Sequence, residues 1–273
     1  MFEKLIHKLF RVPYTLNIRH RRIQKGATTT YIFIHGIGDT ANMWTETLNK
    51  LPDNVNYIAV DLLGFGNSPS PRWATYSATV QARSLLATFL KLGIRNRVIV
   101  VGHSLGALVA IEFAKRYQIL TRQLILCSPP IYGKPSGNIY LSKQSLLRWV
   151  YQHATKNPDQ IVNAYGLGKQ LGVVGNSLDV QNDNVDLFIK SLQSSIINQT
   201  TIDDVVKINI PITILYGVFD PLILHTTLRS VSKRNKSIKI QAVATGHTID
   251  KIYQKQLLRA LSHTTENKRS NNS

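Results

Sequence analysis

The sequence lacks two features that mark large classes of protein, namely paired cysteines and long apolar runs. Cys127 is the only cysteine in 273 residues, so no disulfide can form within the chain. No apolar run approaches the roughly 20 residues that a membrane-spanning helix needs. Lys4 and Lys8 interrupt the apolar residues near the N-terminus, where a secretory signal would be uninterrupted. These absences predict a globular protein of a reducing compartment, and we expect it in the cytoplasm.

Acidic residues are also scarce. The chain has 15 Asp and Glu against 33 Lys and Arg, which gives a formal net charge of +18. Residues 1–11 carry apolar side chains at helical spacing between basic ones, which predicts a basic amphipathic helix. Two interpretations stay open: a basic surface without a specific partner, or weak contact of residues 1–25 with an anionic membrane surface, peripheral to the membrane. No basic-aromatic motif typical of nucleic-acid-binding modules occurs, so we expect no nucleic-acid partner.

Short apolar runs alternate with helical patterns along much of the chain. Runs that are continuously apolar are typical of strands in a sheet covered on both faces. The predicted strands are 12–24, 31–35 (YIFIH), 57–61 (YIAVD), 97–101 (RVIVV), 123–127 (QLILC), 212–216 (ITILY) and 238–243 (IKIQAV). The predicted helices are 41–50, 77–92, 105–117, 222–233 and 250–262. This alternation predicts an α/β fold with a doubly wound, mostly parallel sheet.

Residues 131–205 break the alternation. They contain no convincing strand, and they open with the Pro- and Gly-rich segment IYGKPSGN. Helical patterns follow near 142–154, 158–167 and 183–198. The sequence therefore predicts a core formed by residues 1–130 and 206–273, with a helical lid inserted at 131–205. The polar residues 264–273 predict a loose tail, and no pattern fixes the oligomeric state.

The segment VIVVGHSLGALVA (98–110) places a serine between two glycines at the junction of a predicted strand and helix. Gly102 and Gly106 would allow strand and helix to pass closely at a sharp turn. Such a turn holds the Ser104 hydroxyl at its tip as a nucleophile. The amide of Leu105, at the start of the helix, would point to where negative charge develops in acyl transfer.

A serine nucleophile needs a base and a carboxylate that orients the base. His247 follows the last predicted strand, and Asp220 follows the strand before it, so both would lie at the sheet edge that carries Ser104. Asp220 also suits an N-cap before Pro221, and the two roles are compatible. Asp250 is expected to cap the terminal helix instead.

The loop HGIGDT, directly after the strand 31–35, supplies the other expected donor. Gly36 and Gly38 permit close backbone approach, and the amide of Ile37 is the candidate partner of Leu105 in an oxyanion hole. His35 is expected to shape this loop without moving protons. No clustered His, Cys and Asp spacing indicates a metal site, and no cofactor is expected.

Five segments together resemble the signature segments of the α/β-hydrolase superfamily. They are HGIG (35–38), DLLGFGNS (61–68), GHSLG (102–106), GVFD (217–220) and GHTI (246–249). The similarity is greatest to the lid-bearing carboxylesterase, lipase and C–C hydrolase branch. It implies Ser104 as nucleophile, His247 as base, Asp220 as its partner, and an oxyanion hole at Ile37 and Leu105. It also implies that residues 131–205 cover the pocket and that Asp61 is structural.

The expected reaction is hydrolysis of a small-to-medium, mostly apolar ester through an acyl-enzyme on Ser104. Trp44 and Trp149 are the candidate pocket walls. A thioester or C–C bond hydrolase would use the same groups, so these alternatives stay open. A further open alternative is a ligand receptor or scaffold of the same fold with little turnover.

Overall fold

The computed structural model describes residues 12–27, 29–94, 96–132, 185–197 and 201–266, together with residues 7 and 9. Its strands are β1 (Asn17–Arg22), β2 (Thr29–Ile34), β3 (Val55–Asp61), β4 (Val98–His103), β5 (Thr121–Cys127), β6 (Ile212–Gly217) and β7 (Ile238–Val243). Its α-helices are α1 (Thr45–Leu48), α2 (Ala78–Lys91), α3 (Leu105–Arg116), α4 (Val185–Ser191), α5 (Thr201–Val205), α6 (His225–Arg234) and α7 (Lys251–Glu266). Short 3₁₀ turns cover Ala41–Trp44 and Gln118–Leu120, and a π-helical turn covers Leu192–Ile197.

The seven strands form one sheet in the order β1-β3-β2-β4-β5-β6-β7. Only the β1–β3 pair is antiparallel, and every other neighbouring pair is parallel. The expected mostly parallel α/β sheet is therefore confirmed. Because parallel strands point the same way, the loops after β2, β4, β5, β6 and β7 all begin at one edge of the sheet.

The two faces of the sheet bury separate apolar clusters. Val98 and Val100 of β4 face the cluster that includes residues of α2 and α3, whereas Ile99 and Val101 face the cluster that includes residues of α7. This alternation follows from the two-residue period of a strand. Every residue of β2 and β4 is buried, which explains why residues 31–34 and 98–101 are apolar without interruption.

The terminal helix ends later than the sequence indicated. It extends to Glu266, so residues 264–266 are helical and the predicted loose tail cannot begin at 264. Thr264 is buried, and its hydroxyl lies 2.8 Å from the Tyr31 hydroxyl of β2. The contact with a strand distant in sequence stabilises the last turn of α7, which a local pattern cannot indicate. Residues 267–273 lie outside the described residues.

Most of the predicted lid also lies outside the described residues, including the helices predicted at 142–154 and 158–167. The helix predicted at 183–198 corresponds to α4 and the π-helical turn that follows it. This segment contacts the loop between β3 and α2. Ser194 donates a hydrogen bond to the carbonyl of Thr75 (2.7 Å), and Ser195 donates one to the carbonyl of Tyr76 (3.2 Å). Except for residues 7 and 9, the helix predicted at 1–11 is likewise not described.

Within the described ranges, no helix has the length and apolar character that crossing a membrane requires.

Candidate active site

Ser104 occupies a strained position between β4 and α3. Its backbone angles are φ 53° and ψ −117°, which L-residues adopt only when the surroundings require it. Here the chain passes so closely at Gly102 and Gly106, on either side of Ser104, that it forces this conformation. A Cβ at Gly102 would lie 2.3 Å from the carbonyl oxygen of Gly106, and one at Gly106 would lie 2.4 Å from that of Ile34. The turn is also held by a 2.9 Å hydrogen bond from the Ser104 amide to the Cys127 carbonyl. Only glycine fits at either flank, so the sequence sets the position of the Ser104 side chain.

His247 and Asp220 form a buried pair in the loops after β7 and β6. Nδ1 of His247 lies 2.6 Å from Oδ2 of Asp220, and the two side chains are 3% and 0% exposed. Oδ1 of Asp220 accepts a 2.9 Å hydrogen bond from the Leu222 amide. Burial alone would raise the pKa of Asp220, but hydrogen bonds from His247 and Leu222 outweigh it, so this pKa is lowered. A charged carboxylate only accepts hydrogen bonds, so Nδ1 carries a proton and Nε2 is left to take one up.

His103 connects the serine turn to the histidine loop. Its Nε2 donates a 2.9 Å hydrogen bond to the His247 carbonyl, and the two rings are 5.0 Å apart at their centroids. Burial lowers the pKa of His103 to about 3, so it is neutral beside His247. His103, the residue before Ser104, thus contacts His247, which is hydrogen-bonded to Asp220. The structure brings all three predicted side chains to the carboxyl edge of the sheet.

The loop after β2 runs directly against the serine turn. A Cβ at Gly36 would lie 3.2 Å from Cβ of Ser104, so the backbone leading to Ile37 packs closely against Ser104. Nε2 of buried His35 accepts a 2.8 Å hydrogen bond from the Leu62 amide, and its Nδ1 therefore donates to the Gly36 carbonyl at 2.7 Å. Burial lowers the pKa of His35, which is consistent with a neutral ring that shapes this loop. Leu105 is the first residue of α3, so its amide has no acceptor within the helix.

Asp61, at the end of β3, holds several loops together near this edge. Its buried carboxylate forms an ion pair with Arg19 of β1 at 2.8 Å and accepts hydrogen bonds from the amides of Ala41 (2.9 Å) and Asn67 (3.1 Å). Burial would raise the pKa of Asp61, but these hydrogen bonds lower it overall. Gly66, with φ 53°, leaves room for the carboxylate. The contacts give Asp61 a structural role.

The prediction that Trp44 lines a pocket is wrong. Trp44 is fully buried in the cluster on the α7 face, and its ring lies 5.2 Å from that of Phe33. It packs there because the 3₁₀ turn after the Ile37 loop folds back over the sheet. Trp149, the other predicted wall, lies outside the described residues.

Two residues near Asp220 were missed by the sequence analysis. Ser128 directly follows β5, and Tyr253 lies on α7; their hydroxyl oxygens are 3.2 Å apart. Ser128 follows a parallel strand, as Asp220 does. The argument from strand ends that predicted Asp220 would therefore have indicated Ser128 as well. No local pattern marks Tyr253.

The residues that the structure describes contain no cluster of three or more His, Cys, Asp or Glu that could hold a metal ion.

Comparisons with known proteins agree with the fold. A family model described as "Alpha/beta hydrolase family" matches residues 31–178. The probable lysophospholipase BODYGUARD 2 of Arabidopsis thaliana is 30% identical over 127 residues, covering 45% of this chain and 27% of that protein. An uncharacterized protein of Mycobacterium tuberculosis is 42% identical over 122 residues, covering 42% of this chain and 35% of that protein. The matched regions thus span about a third or less of the two relatives' own lengths.

Among solved structures, an esterase from Exiguobacterium antarcticum superposes with a TM-score of 0.70 at 16% identity, covering 93% of this chain and 99% of that one. At this identity the likeness shows a shared fold.

Proposed function

Because the chain belongs to the alpha/beta hydrolase family, we propose that it is a serine hydrolase that cleaves a small-to-medium, mostly apolar ester. The observation that carries the proposal is the buried 2.6 Å contact between His247 and Asp220, beside a serine in a strained turn. A core needs neither a strained serine nor a buried charged carboxylate, and both cost stability. Their coincidence at one sheet edge supports a catalytic purpose.

The proposed chemistry proceeds in two stages. Oγ of Ser104 attacks the ester carbonyl carbon while Nε2 of His247 takes the hydroxyl proton, and the C–O bond of the leaving alcohol breaks as His247 returns that proton to it. Water then attacks the acyl-enzyme, with His247 again the base, and releases the acid and Ser104. Asp220 holds Nδ1 protonated and stabilises the imidazolium in both stages.

Developing negative charge on the carbonyl oxygen would be bound by two backbone amides, those of Ile37 and Leu105. The close approach of the Ile37 loop to Ser104 supports the first, and the N-terminal position of Leu105 on the twelve-residue helix α3 supports the second. Each such donor contributes about 100- to 1,000-fold to the chemical step in enzymes of this kind.

The preference for an apolar ester is based on the predicted lid, residues 131–205. Its described part packs apolar side chains: Phe188, Leu192 and Ile196 are buried in the main core cluster. Leu187 lies over Gly64 in the loop after β3. The remainder of the predicted lid has apolar residues at helical spacing, including Leu146, Val150 and Trp149, the proposed pocket wall. The similarity to a probable lysophospholipase and to an esterase is consistent with an acyl ester substrate.

The test is hydrolysis of p-nitrophenyl acetate, butyrate and longer esters by the parent and by Ser104→Ala. Loss of the nucleophile should lower kcat by about 10⁴-fold or more, because alanine has no oxygen at this position to form the acyl-enzyme. A fluorophosphonate probe should label the parent at Ser104 and leave the variant unlabelled. Equal turnover by the two proteins would contradict the proposal.

The same panel separates the alternatives that share this chemistry. A thioester or C–C bond hydrolase would turn over its own substrate class faster than any of the esters. A ligand receptor would be labelled by the probe and still hydrolyse every ester only slightly faster than buffer.

A further inference from the structure

A cavity of about 490 Å³ lies between the chain before β1, the loop that joins β3 to α2, and one face of α2. No residue of the proposed catalytic triad is among the described residues that line it. Most of its described lining is apolar or aromatic and includes Leu63, Trp73 and Val80. A cavity of this size with an apolar lining is typical of sites that bind small molecules. The proposed catalysis does not use it, so the cavity needs an explanation of its own.

Hydrogen bonds on two sides fix the walls of this cavity. The Leu16 amide donates to the Thr88 hydroxyl oxygen of α2 at 2.7 Å, so the preceding residues 12–14 are held over that helix. On the other side, the Tyr76 hydroxyl donates to the Pro71 carbonyl at 2.8 Å, which fixes the loop before α2. Residues of both segments line the cavity. The cavity is therefore formed by tethered backbone, and a ligand does not have to open it.

One wall carries a buried hydroxyl without a partner. Val80, Arg83 and Ser84 are three and four residues apart on α2, so they share one face of the helix, and all three line the cavity. Ser84 is 0% exposed, and its Oγ forms no hydrogen bond with any residue that the structure describes. Buried hydroxyls nearly always have a partner, because an unsatisfied donor destabilises the fold. Ser84 is thus placed to donate to an acceptor that a ligand brings.

The charge of the lining favours an anionic ligand. Arg83 carries the charge among the described lining residues, and no acidic residue is found among them. Arg72, which is exposed next to Trp73 in the same loop, adds a second cation nearby. A guanidinium group presents several N–H donors that match the oxygens of a carboxylate or a phosphate. An anion between Arg83 and Ser84 would therefore pair with the guanidinium and also satisfy the hydroxyl.

The apolar part of the lining reaches the protein surface. Trp73 and Val12 are each 41% exposed, so the cavity is accessible on this side. The Tyr14 ring lies 6.1 Å from the Trp73 ring and 3.7 Å from the His7 ring, which stacks on it. These side chains provide an apolar and aromatic surface for a hydrocarbon chain.

We propose that this cavity binds a single-chain amphiphile whose head group is a carboxylate or a phosphate. The Arg83 guanidinium pairs with the head group, the Ser84 hydroxyl donates to it, and the hydrocarbon chain contacts Leu63 and Trp73. Binding at this site does not depend on turnover at Ser104. If the proposed function is correct, the acid released from an apolar ester is one source of such a ligand.

Decanoate and decyl phosphate are the probes, each titrated into the protein by isothermal titration calorimetry. Arg83→Gln should raise the Kd of both about tenfold, because it removes a hydrogen bond between charged groups. The matched control Arg229→Gln, at an exposed arginine of α6, should change the Kd by less than about twofold. Decanol, which lacks the charge, should bind the parent and Arg83→Gln equally. The probe with the lower Kd for the parent identifies the head group.

Ser84→Ala separates ligand binding from a structural role. Because the Ser84 hydroxyl has no partner among the described residues, alanine should leave the melting temperature of the ligand-free protein unchanged or raise it. It should also reduce the rise in melting temperature that decanoate or decyl phosphate produces in the parent. A ligand-free melting temperature well below that of the parent would assign the hydroxyl to the fold and overturn its role in binding.

The emission of Trp73 reports where the probes bind. It should shift to shorter wavelength as either probe binds, and Trp73→Phe should abolish that shift. Ser104→Ala should bind both probes with the Kd of the parent, whereas a Kd changed by Ser104→Ala and not by Arg83→Gln would place them in the catalytic site.

The outcomes distinguish this inference from the proposed function. Absence of binding to the parent, or an equal Kd for the parent and Arg83→Gln, overturns the inference whatever the rate of ester hydrolysis. If the parent neither hydrolyses esters nor reacts with the fluorophosphonate probe, the proposed function fails. The calorimetric titrations would then still decide whether the cavity binds an anionic amphiphile, since they need no turnover.

Discussion

Asp220 and Asp250 are two acids near the same sheet edge, the first buried and the second exposed, and their hydrogen-bond partners give them different roles. Asp220 pairs with His247, and both of its carboxylate oxygens accept hydrogen bonds. Asp250 accepts a 2.8 Å hydrogen bond from the Tyr253 amide in the first turn of α7 and another from the Thr245 hydroxyl. Asp250 thus caps a helix, as its sequence position indicated, whereas Asp220 is directed at an imidazole.

The two acids can be compared by the same substitution. Asp220→Asn should retain the fold and lower kcat by about 10⁴-fold, because an amide no longer holds His247 in the tautomer with Nδ1 protonated. The matched control Asp250→Asn should change kcat by less than about twofold, because asparagine also caps helices well. Ester hydrolysis at saturating substrate measures both. An Asp220→Asn protein with more than a tenth of the parent kcat would contradict the assigned role.

Helix α3 packs so closely against the central strands that this packing requires glycine at the contact positions. At Gly106 a methyl group would meet the Ile34 carbonyl, which belongs to a central strand and cannot move aside. At Gly246, in the histidine loop, nothing lies within 4 Å of an added Cβ. The same Gly→Ala change therefore tests packing at one position and serves as a control at the other.

Gly106→Ala should lower the free energy of unfolding by about 3 kcal/mol, since overpacking against fixed backbone forces the elements apart. Gly246→Ala should change it by less than about 1 kcal/mol, because its backbone conformation is open to alanine. Urea unfolding followed by circular dichroism provides both values. Similar midpoints for the two variants would show that the contact between α3 and β2 tolerates a side chain.

The whole molecule buries ionisable groups that respond to acid. His103 stays neutral in the fold down to about pH 3, whereas an unfolded histidine takes up a proton near pH 6.5. Between these pH values the unfolded state therefore binds more protons than the folded state. The contribution of His103 to the free energy of unfolding is fully present above about pH 6.5 and is lost as the pH falls towards 3. The lowered pKa values of Asp61 and Asp220 extend this loss below about pH 4.

We predict that the free energy of unfolding falls steadily from about pH 6.5 to pH 4, and that His103→Gln makes this dependence shallower. Glutamine can still donate a hydrogen bond to the His247 carbonyl but takes up no proton. Urea unfolding at half-unit pH steps measures the slope, with His263→Gln, an exposed residue of α7, as the matched control. Equal slopes for His103→Gln and the parent would show that other groups dominate the acid response.

The sequence predicted the elements whose causes are local. Both faces of the central strands are buried, so their apolar runs are continuous, and the glycines around Ser104 mark a turn that only glycine permits. Asp220 and His247 were found because each follows a strand and parallel strands end at one edge. These inferences need no knowledge of which strands are neighbours.

The features that the sequence did not predict depend on tertiary contacts. Trp44 packs on Phe33 because the chain folds back over the sheet, and α7 extends to Glu266 because Thr264 reaches Tyr31. Tyr253 meets Ser128 across 125 positions of sequence. None of these contacts leaves a periodic or spaced pattern in the chain.

The direct pairing of β5 with β6 has an evolutionary consequence. Leu124 of β5 is in register with Ile212 of β6, although the whole interval that contains the predicted lid separates them in sequence. Insertions, deletions and exchanges within that interval leave every strand pair in place. Natural variation in that interval can therefore accumulate without disturbing the sheet wherever it spares residues that pack in the core, such as Phe188 and Leu192, and descendants of this chain can acquire new selectivity by that route.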